Sequence, residues 1–488
     1  MNHFSFKTMC LNQWPGYCLA LLVFVCASCD SETDANVVSE AIKAPPNFVF
    51  ILADDQGWNG TSVKMMNNEP MSKSDYYETT NIDNLASKGM VFTNGYAAAA
   101  NCSPSRASLM TGLWTPRHGI YTVGNSDRGN TKDRKLIPVV NKRSLSNNFK
   151  VIPQVLKENG YTTCHAGKWH LSNDPTNFGF DFNIGGSHSG FPKSYFPPYK
   201  NVDIEKGEND YLTDLITEKA IDFIQNSKQP FFLYFSPYAV HLPINPIEEL
   251  LSKYKNKTPF EGQDNYKYAT MIDNLDRNIG LLINSLEGNN NIIIFTSDNG
   301  GLHGITNQKP LRAGKGSYYE GGIRDPFIFV WKDKIKDNLK TDIPITNLDI
   351  FPTIISVANI SYDGLLDGVD LSPILFENKN IVKRSLFWHF PIYIQSKKWE
   401  GVNYENRDSL FRTRPGSVVR NGNWKLHYYF EDESIELFNL KDDISEKNNL
   451  IDQFPKKTEQ LKSQLENWWD ETNAPIPYEK NPKYIITE

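Results

Sequence analysis

The chain has 488 residues, of which 39% are hydrophobic and 22% charged, with a formal net charge of −6. That length holds one large domain with a smaller one beside it, and so ordinary a composition, without repeats or low-complexity tracts, excludes a fibrous or disordered protein. The acidic balance excludes a global basic field for nucleic acid, so an anionic substrate has to be held by local cations.

Lys7 opens the chain as a short basic region, and Cys18 to Ser28 then form an apolar run too short to span a bilayer. Residues 1–28 therefore read as a signal peptide. Cys26-Ala27-Ser28-Cys29 resembles a bacterial lipobox with Cys26 in place of the usual Leu, which makes Cys29 the lipidated first residue of the mature chain. The acidic residues Asp30, Glu32 and Asp34 follow, as in surface-export signals of bacterial lipoproteins, and residues 29–45 read as a polar tether. The expectation is an exported, lipid-anchored protein on the outer membrane, cell surface or periplasm of a Gram-negative bacterium. A plain secretory signal cut nearby is the alternative.

Three apolar runs end in reactive residues. Asn47–Ala53 meets Asp54-Asp55-Gln56-Gly57, Phe231–Phe235 leads to His241, and Ile292–Ser297 meets Asp298-Asn299-Gly300-Gly301. Near-continuous apolar runs of this length read as strands buried on both faces. Helical patterns fall between them at residues 151–159, 212–226 and 266–286. Strands alternating with helices predict an α/β fold with a parallel sheet sandwiched by helices over residues 46–375. In such sheets ligands bind beyond the carboxyl ends of the strands, where these acids sit. After residue 375 the runs 385–390, 416–420, 424–429 and 436–440 read as short antiparallel strands, and 454–470 as an amphipathic helix. Residues 376–488 are thus expected to form a smaller α+β subdomain.

Cysteines occur at 10, 18, 26, 29, 102 and 164. Three leave with the signal and Cys29 takes lipid, so Cys102 and Cys164 remain and no disulfide framework is possible. Cys102 begins Cys-Ser-Pro-Ser-Arg at the expected start of a helix, where free N–H groups and Arg106 favour anions. Asp54, Asp55, Asp298 and Asn299 offer only oxygen, which favours Ca²⁺ or Mg²⁺ over zinc. Adjacent carboxylates on an ideal strand point apart, so both reach one ion only if the chain leaves the extended state there. Lys168 and His170, two apart on an expected strand, fall on one face, and Lys315 lies in a glycine-flanked loop. Singly, each of these has a plainer reading: a turn or cap for the acids, a solvated charge for Lys, a structural role for His.

Taken together, the motifs resemble the type I, formylglycine-dependent sulfatases of the alkaline phosphatase superfamily. Cys102-Ser103-Pro104-Ser105-Arg106 is similar to that family's C-x-P-S-R maturation signature, and Thr111-Gly112-Leu113 continues it. Gly167-Lys168-Trp169-His170-Leu171, Asp298-Asn299-Gly300 and the segment from Gly314 to Arg324 match further blocks, as do Asp349–Thr353 and Leu366–Asp370. The similarity runs in order over roughly residues 45 to 450, departing at Ser172 and Asp325.

The resemblance implies an alkaline phosphatase-like fold with a large mixed, mostly parallel sheet, and a sulfuric ester hydrolase in which a maturation enzyme oxidises Cys102 to formylglycine (3-oxoalanine). A hydroxyl of the hydrated aldehyde attacks sulfur and the other expels sulfate. It further implies that Asp54, Asp55, Asp298 and Asn299, with the Cys102-derived oxygen, hold Ca²⁺ (or Mg²⁺). Arg106, Lys168 and Lys315 would neutralise sulfate, His170 would take the diol proton, and His241 with Lys315 would protonate the leaving oxygen. His188, His303 and His389 are expected near the pocket mouth as substrate contacts. Export and 12% aromatic residues suit a sulfated polysaccharide such as ulvan, carrageenan or fucoidan. A phosphoesterase or phosphonate hydrolase of the same superfamily, and a non-catalytic carbohydrate-binding lipoprotein, stay open as alternatives.

Overall fold

A computed structural model describes residues 44–228, 230–377, 379–396 and 405–485. The expected signal peptide, Cys29 and all but the end of the tether lie outside the described residues. No helix among the described residues is long and apolar enough to cross a membrane.

Nine strands form the main sheet: β1 (Asn47–Ala53), β2 (Met90–Tyr96), β3 (Thr162–Gly167), β4 (Phe182–Ile184), β5 (Phe231–Ser236), β6 (Asn291–Ser297), β7 (Arg324–Trp331), β8 (Leu339–Thr341) and β9 (Ile345–Thr346). Their order is β4-β3-β5-β1-β6-β7-β2-β8, with β9 beside β2. All neighbours pair in parallel except β7, which runs against both β6 and β2. The sheet is therefore mixed and mostly parallel: the alternation of strands and helices predicted its parallel majority, and the resemblance implied that it is mixed.

The apolar runs build this sheet because alternate residues feed two different cores. Val49, Ile51, Leu233, Phe235, Ile293 and Phe295 pack on one face with the Leu212–Asn226 and Tyr266–Asn284 helices. Phe48, Phe50, Phe232, Tyr234, Ile292 and Ile294 pack on the other, with the Cys102–Thr111, Ile152–Glu158 and Ile350–Val357 helices. Each such side chain taken fully out of water contributes about 1.5–3 kcal/mol.

The C-terminal region forms an antiparallel sheet of β10 (Ser385–Phe390), β13 (Gly416–Asn421), β14 (Trp424–Tyr429) and β15 (Ile435–Asn439). A hairpin of β11 (Ile394–Gln395) and β12 (Phe411–Thr413) stands apart from it. Leu461, Leu465 and Trp468 of the Pro455–Thr472 helix share a core with Trp388, Val418, Tyr96 and Ile323, so this core spans both sheets. Charge crosses the same seam. Glu320 meets Lys425 at 2.9 Å and Arg324 at 3.1 Å, while Glu446 meets Lys425 at 2.9 Å and accepts from the Glu320 backbone N–H at 2.6 Å.

One glycine fixes the exit of β3 towards the carboxyl end of the sheet. Gly167 has φ +109°, and a Cβ there would stand 2.0 Å from the Ser236 carbonyl oxygen. The next residue, Lys168, donates its backbone N–H to that oxygen at 2.6 Å. Gly167→Ala is accordingly expected to cost about 1–3 kcal/mol in backbone strain, read by urea unfolding, and to lower activity by displacing Lys168.

Candidate active site

The site lies where the sheet topology places it, beyond the carboxyl ends of β3, β5, β1 and β6. Asp54 and Asp55 follow β1, Asp298 and Asn299 follow β6, Lys168 follows β3, and His241 follows β5 after a short loop. Asp55 takes φ +62°, so the chain leaves the extended state at this residue. That bend lets neighbouring carboxylates converge: one ligand atom each from Asp54, Asp55, Cys102 and Asp298 lie within 4.8 Å of one another. Cys102 is the first residue of the Cys102–Thr111 helix, and a turn later Arg106 lies fully buried beneath it.

Lys168 and His170 are held differently from the strand geometry expected of them. β3 stops at Gly167, and His170 takes φ +61°, its backbone N–H donating to the Ser187 carbonyl at 2.9 Å. The ordering comes from this irregular turn, not from a shared strand face.

Three buried cations match three buried carboxylates. Lys168 Nζ donates to both oxygens of Asp54 at 2.8 and 2.7 Å, and Lys315 Nζ to both oxygens of Asp55 at 2.5 and 2.7 Å. Arg106 Nε donates to Asp298 Oδ2 at 2.8 Å, while its Nη1 reaches the Lys168 carbonyl at 2.8 Å and Ser236 Oγ at 2.6 Å. Lys315 Nζ also lies 3.1 Å from Cys102 Sγ. Such pairs are held by geometry, since each charge has lost its water.

The protonation states follow from burial set against these partners. Burial raises the Asp54 carboxyl to about 8, with Lys168 opposing it. Burial acts on Asp55 and Asp298 as well, but Lys315 and Arg106 respectively outweigh it and hold both below the usual carboxylate range. Burial pushes the Cys102 thiol up to about 12 although Lys168 and Lys315 stand near. His241 is driven down to about 3 by burial and then by Lys315, and His170 well below its ordinary value by burial, Lys168 and Arg106. Both imidazoles are neutral at neutral pH.

The donor set fits a hard divalent cation. Asn299 donates Nδ2 to Asp55 Oδ1 at 2.8 Å and to the Gly300 carbonyl at 3.0 Å, which leaves its buried Oδ1 with no hydrogen-bond partner. An unpartnered buried acceptor costs about 1–3 kcal/mol, and this one belongs to the same group of oxygens as Asp54, Asp55 and Asp298. Oxygen donors in that number suit Ca²⁺ or Mg²⁺.

A cavity of ≈ 400 Å³ opens above the cluster, lined by Asp55, Cys102, His170, His241 and Lys315. Its size falls in the range of about 300–1,000 Å³ typical of small-ligand sites. A larger cavity of ≈ 500 Å³ lies at the seam between the sheets, remote from these carboxylates.

The three histidines expected at the mouth are not among the residues lining this cavity. His188 is exposed, its ring 6.2 Å from that of His170. His303 is half-buried and faces the Ala313 carbonyl at 3.4 Å. His389 is a correction: it is buried in β10, bonded to Ser417 Oγ at 2.7 Å and to the Pro475 carbonyl at 3.1 Å. A histidine on a strand of the second sheet serves that sheet's packing. His389→Ala is therefore expected to lower stability by about 1–3 kcal/mol in thermal unfolding and to leave KM unchanged.

Other residues lining the cavity escaped the sequence. Arg128, Phe191, Gln395, Ser396 and Arg412 come from loops and the β11–β12 hairpin, and no spacing rule links them to Cys102. Of the two departures from the family pattern, Ser172 accepts from Trp169 Nε1 at 2.8 Å. Asp325 is fully buried with neither carboxyl oxygen partnered, and burial holds its pKa well above the ordinary value.

A sandwiched, mostly parallel sheet with a carboxylate cluster, an adjacent helix-borne Cys and a ring of buried cations defines an ester hydrolase of the alkaline phosphatase superfamily. The sulfatase family model matches residues 46–360, and a model of the C-terminal region of N-sulphoglucosamine sulphohydrolase matches residues 314–473. The chain belongs to the sulfatase family and is a sulfuric ester hydrolase. A sulfatase of Formosa agariphila is 29% identical over 94% of this chain and 96% of its own length. The N-acetylgalactosamine-6-sulfatase of Mus musculus is 31% identical over 71% of this chain and 69% of its own. Among solved structures, Ps i-CgsB in complex with k-i-k-neocarrahexaose superposes with a TM-score of 0.71 at 28% identity, covering 89% of this chain and 95% of that one.

Proposed function

We propose that this protein hydrolyses sulfate esters of carbohydrates, using a nucleophile made by oxidation of Cys102 to formylglycine. The observation that carries the reading is the convergence of Asp54, Asp55, Asp298 and Cys102 within one cluster ringed by Arg106, Lys168 and Lys315. Likeness to Ps i-CgsB with its bound oligosaccharide supports the carbohydrate class. So does Phe191, which is 46% exposed at the cavity and stacks on His241 at 6.0 Å, offering a flat apolar face for a sugar ring. Algal polysaccharides such as carrageenan or ulvan are the proposed natural source of the ester, and a lipid anchor at Cys29 is the proposed route of display at the cell surface or in the periplasm.

Formylglycine, when present, supplies a hydrated aldehyde whose two hydroxyls allow attack on sulfur and later release of sulfate. Asp54, Asp55, Asp298 and Asn299 would hold Ca²⁺ or Mg²⁺, which would supply Lewis-acid polarisation and a fixed template. The chain's own residues do the rest. Lys168, Lys315 and Arg106 place positive charge where the sulfate oxygens gather negative charge, inside a site shielded from water. Neutral His170 accepts a proton at its ring nitrogen, and its unpartnered Nδ1 is buried. On the side of the departing alcohol stand His241 and Lys315, the latter with its Nζ on both oxygens of Asp55. His241, its Nε2 3.8 Å from Asp55 Oδ2, acts with Lys315 to protonate the leaving oxygen. The test is turnover of an aryl sulfate and of a panel of sulfated algal oligosaccharides, with mass analysis of the Cys102 peptide. An active enzyme whose Cys102 has the mass of unmodified cysteine overturns the mechanism.

A further inference from the structure

We infer that Arg128, together with Arg412, forms a second anion-binding subsite that recognises another acidic group, a sulfate ester or a carboxylate, on the carbohydrate whose sulfate is cleaved. This rests on the sulfated-carbohydrate reading and narrows it to substrates carrying at least two anionic groups within reach of one cavity.

Four observations place the subsite. Arg128 and Arg412 line the same cavity as Cys102, His241 and Lys315. Among the described lining residues Asp55 is the sole acid, and Lys315 already holds both of its oxygens. No carboxylate of the described residues stands within 4.0 Å of the Arg128 guanidinium, in contrast to Arg106, Arg134 and Arg414, each of which has one. Finally, Arg128 Nε is buried without a hydrogen-bond partner, and burial with the neighbouring Arg412 charge pulls its pKa down. The half-buried charge of Arg128, with no acid of the described residues opposite, is unfavourable in the free protein, and an anionic ligand group offsets that cost.

The guanidinium is also held in place. Arg128 Nη2 donates to Thr122 Oγ1 at 2.6 Å, and the same oxygen accepts from Asn101 Nδ2 at 3.1 Å, so one hydroxyl ties Arg128 to the residue preceding Cys102. Arg134 Nη1 grips the carbonyls on either side, Asp127 and Gly129, both at 2.6 Å. The Tyr393 N–H donates to the Ser126 carbonyl at 2.9 Å, joining this loop to the segment that enters the β11–β12 hairpin. Arg412, on that hairpin, reaches the Lys315 carbonyl through Nη1 at 3.4 Å. The two arginines therefore approach the reaction centre from separate elements, one through Asn101 and Cys102, the other through Lys315. A sulfate seated against Cys102 has Lys315 beside it, with Lys168 and Arg106 buried beneath, and Arg128 is left for a second group. Arginine's planar fork suits sulfate and carboxylate alike.

The test is calorimetric and independent of turnover. The Cys102→Ala protein is titrated with a disulfated monosaccharide, with the same sugar lacking the second sulfate, and with a monosulfated uronate. The doubly anionic ligands should bind roughly 10- to 100-fold more tightly than the monosulfated sugar, the range expected for one charged hydrogen bond. Adding Arg128→Gln should erase that difference, and Arg128→Lys should keep part of it. Preference for the disulfated sugar identifies sulfate as the second group, and preference for the uronate identifies carboxylate. Equal affinity for singly and doubly anionic ligands, a preference that survives Arg128→Gln, or no binding at all overturns the subsite. Aryl sulfate turnover by the unsubstituted enzyme judges the underlying sulfatase chemistry separately, so the two failures are distinguishable.

Discussion

Cys102→Ala is expected to lower kcat on an aryl sulfate by at least about 10⁴-fold, the scale of loss when a nucleophile is removed, with little change in melting temperature. The side chain is small and buried, and its polar contacts are limited to Lys315 Nζ at 3.1 Å and weak approaches to Asp54 and Asp55 at 3.8 and 3.9 Å. Its deletion therefore removes chemistry more than structure. Cys102→Ser is the sharper comparison. A thiol reacts as its anion, and burial pushes the Cys102 thiol up to about 12, so little of it is ionised at neutral pH. An unmodified Cys102 is thus a weak nucleophile here, and the alanine variant and an unoxidised serine variant should both be inactive. Steady-state kinetics beside mass analysis reads the outcome. A serine variant that turns over at the parental rate while residue 102 keeps the mass of unoxidised serine removes the case for oxidation at this position.

The second large effect concerns the cation. Removing divalent ions with EDTA is expected to lower kcat by about 10²–10³-fold and to lower the melting temperature, both restored by Ca²⁺. Asp55→Asn should abolish activity as well, but irreversibly and with a separate cost. It leaves the Lys315 ammonium, 9% exposed, without the carboxylate that grips it at 2.5 and 2.7 Å. Breaking a buried pair from one side costs about 3–5 kcal/mol, measurable by chemical denaturation. Rescue of the chelated enzyme by Ca²⁺, set against no rescue of Asp55→Asn, separates loss of the ion from loss of its ligand. Full activity after exhaustive chelation would remove the metal from the reaction.

The strands that carry the acids were plain in the sequence because burial on both faces leaves an unbroken apolar run. β1, β5 and β6 begin and end within a residue of the expected limits. The polar residue just after each run was then a marker of the sheet's carboxyl edge. Asp55 and Lys315, 260 positions apart, meet there because of topology, and their pairing was legible only through motif resemblance. Local periodicity did not foretell the reversed β7, whose apolar run reads the same in either direction. Nor did it foretell the left-handed backbone at His170, which the strand rule treated as extended. Arg128 and Arg412 were invisible for a related reason: a cation in an irregular loop has the same sequence signature whether it meets solvent or a cavity. His389 shows the converse, an imidazole that looked available and is enclosed by Ser417 and Pro475.

The charges at the seam carry a consequence for how this architecture diversifies. Lys425 bridges Glu320, beside β7, and Glu446, past β15, with all three side chains withdrawn from water. An apolar joint tolerates any greasy counterpart, whereas this one is keyed. A transplanted C-terminal half lacking a lysine at 425 leaves Glu320 facing one fewer cation in a dry environment. Exchange of that half between relatives, a convenient way to alter the wall that bears Arg412, is therefore permitted only to donors that carry the matching key.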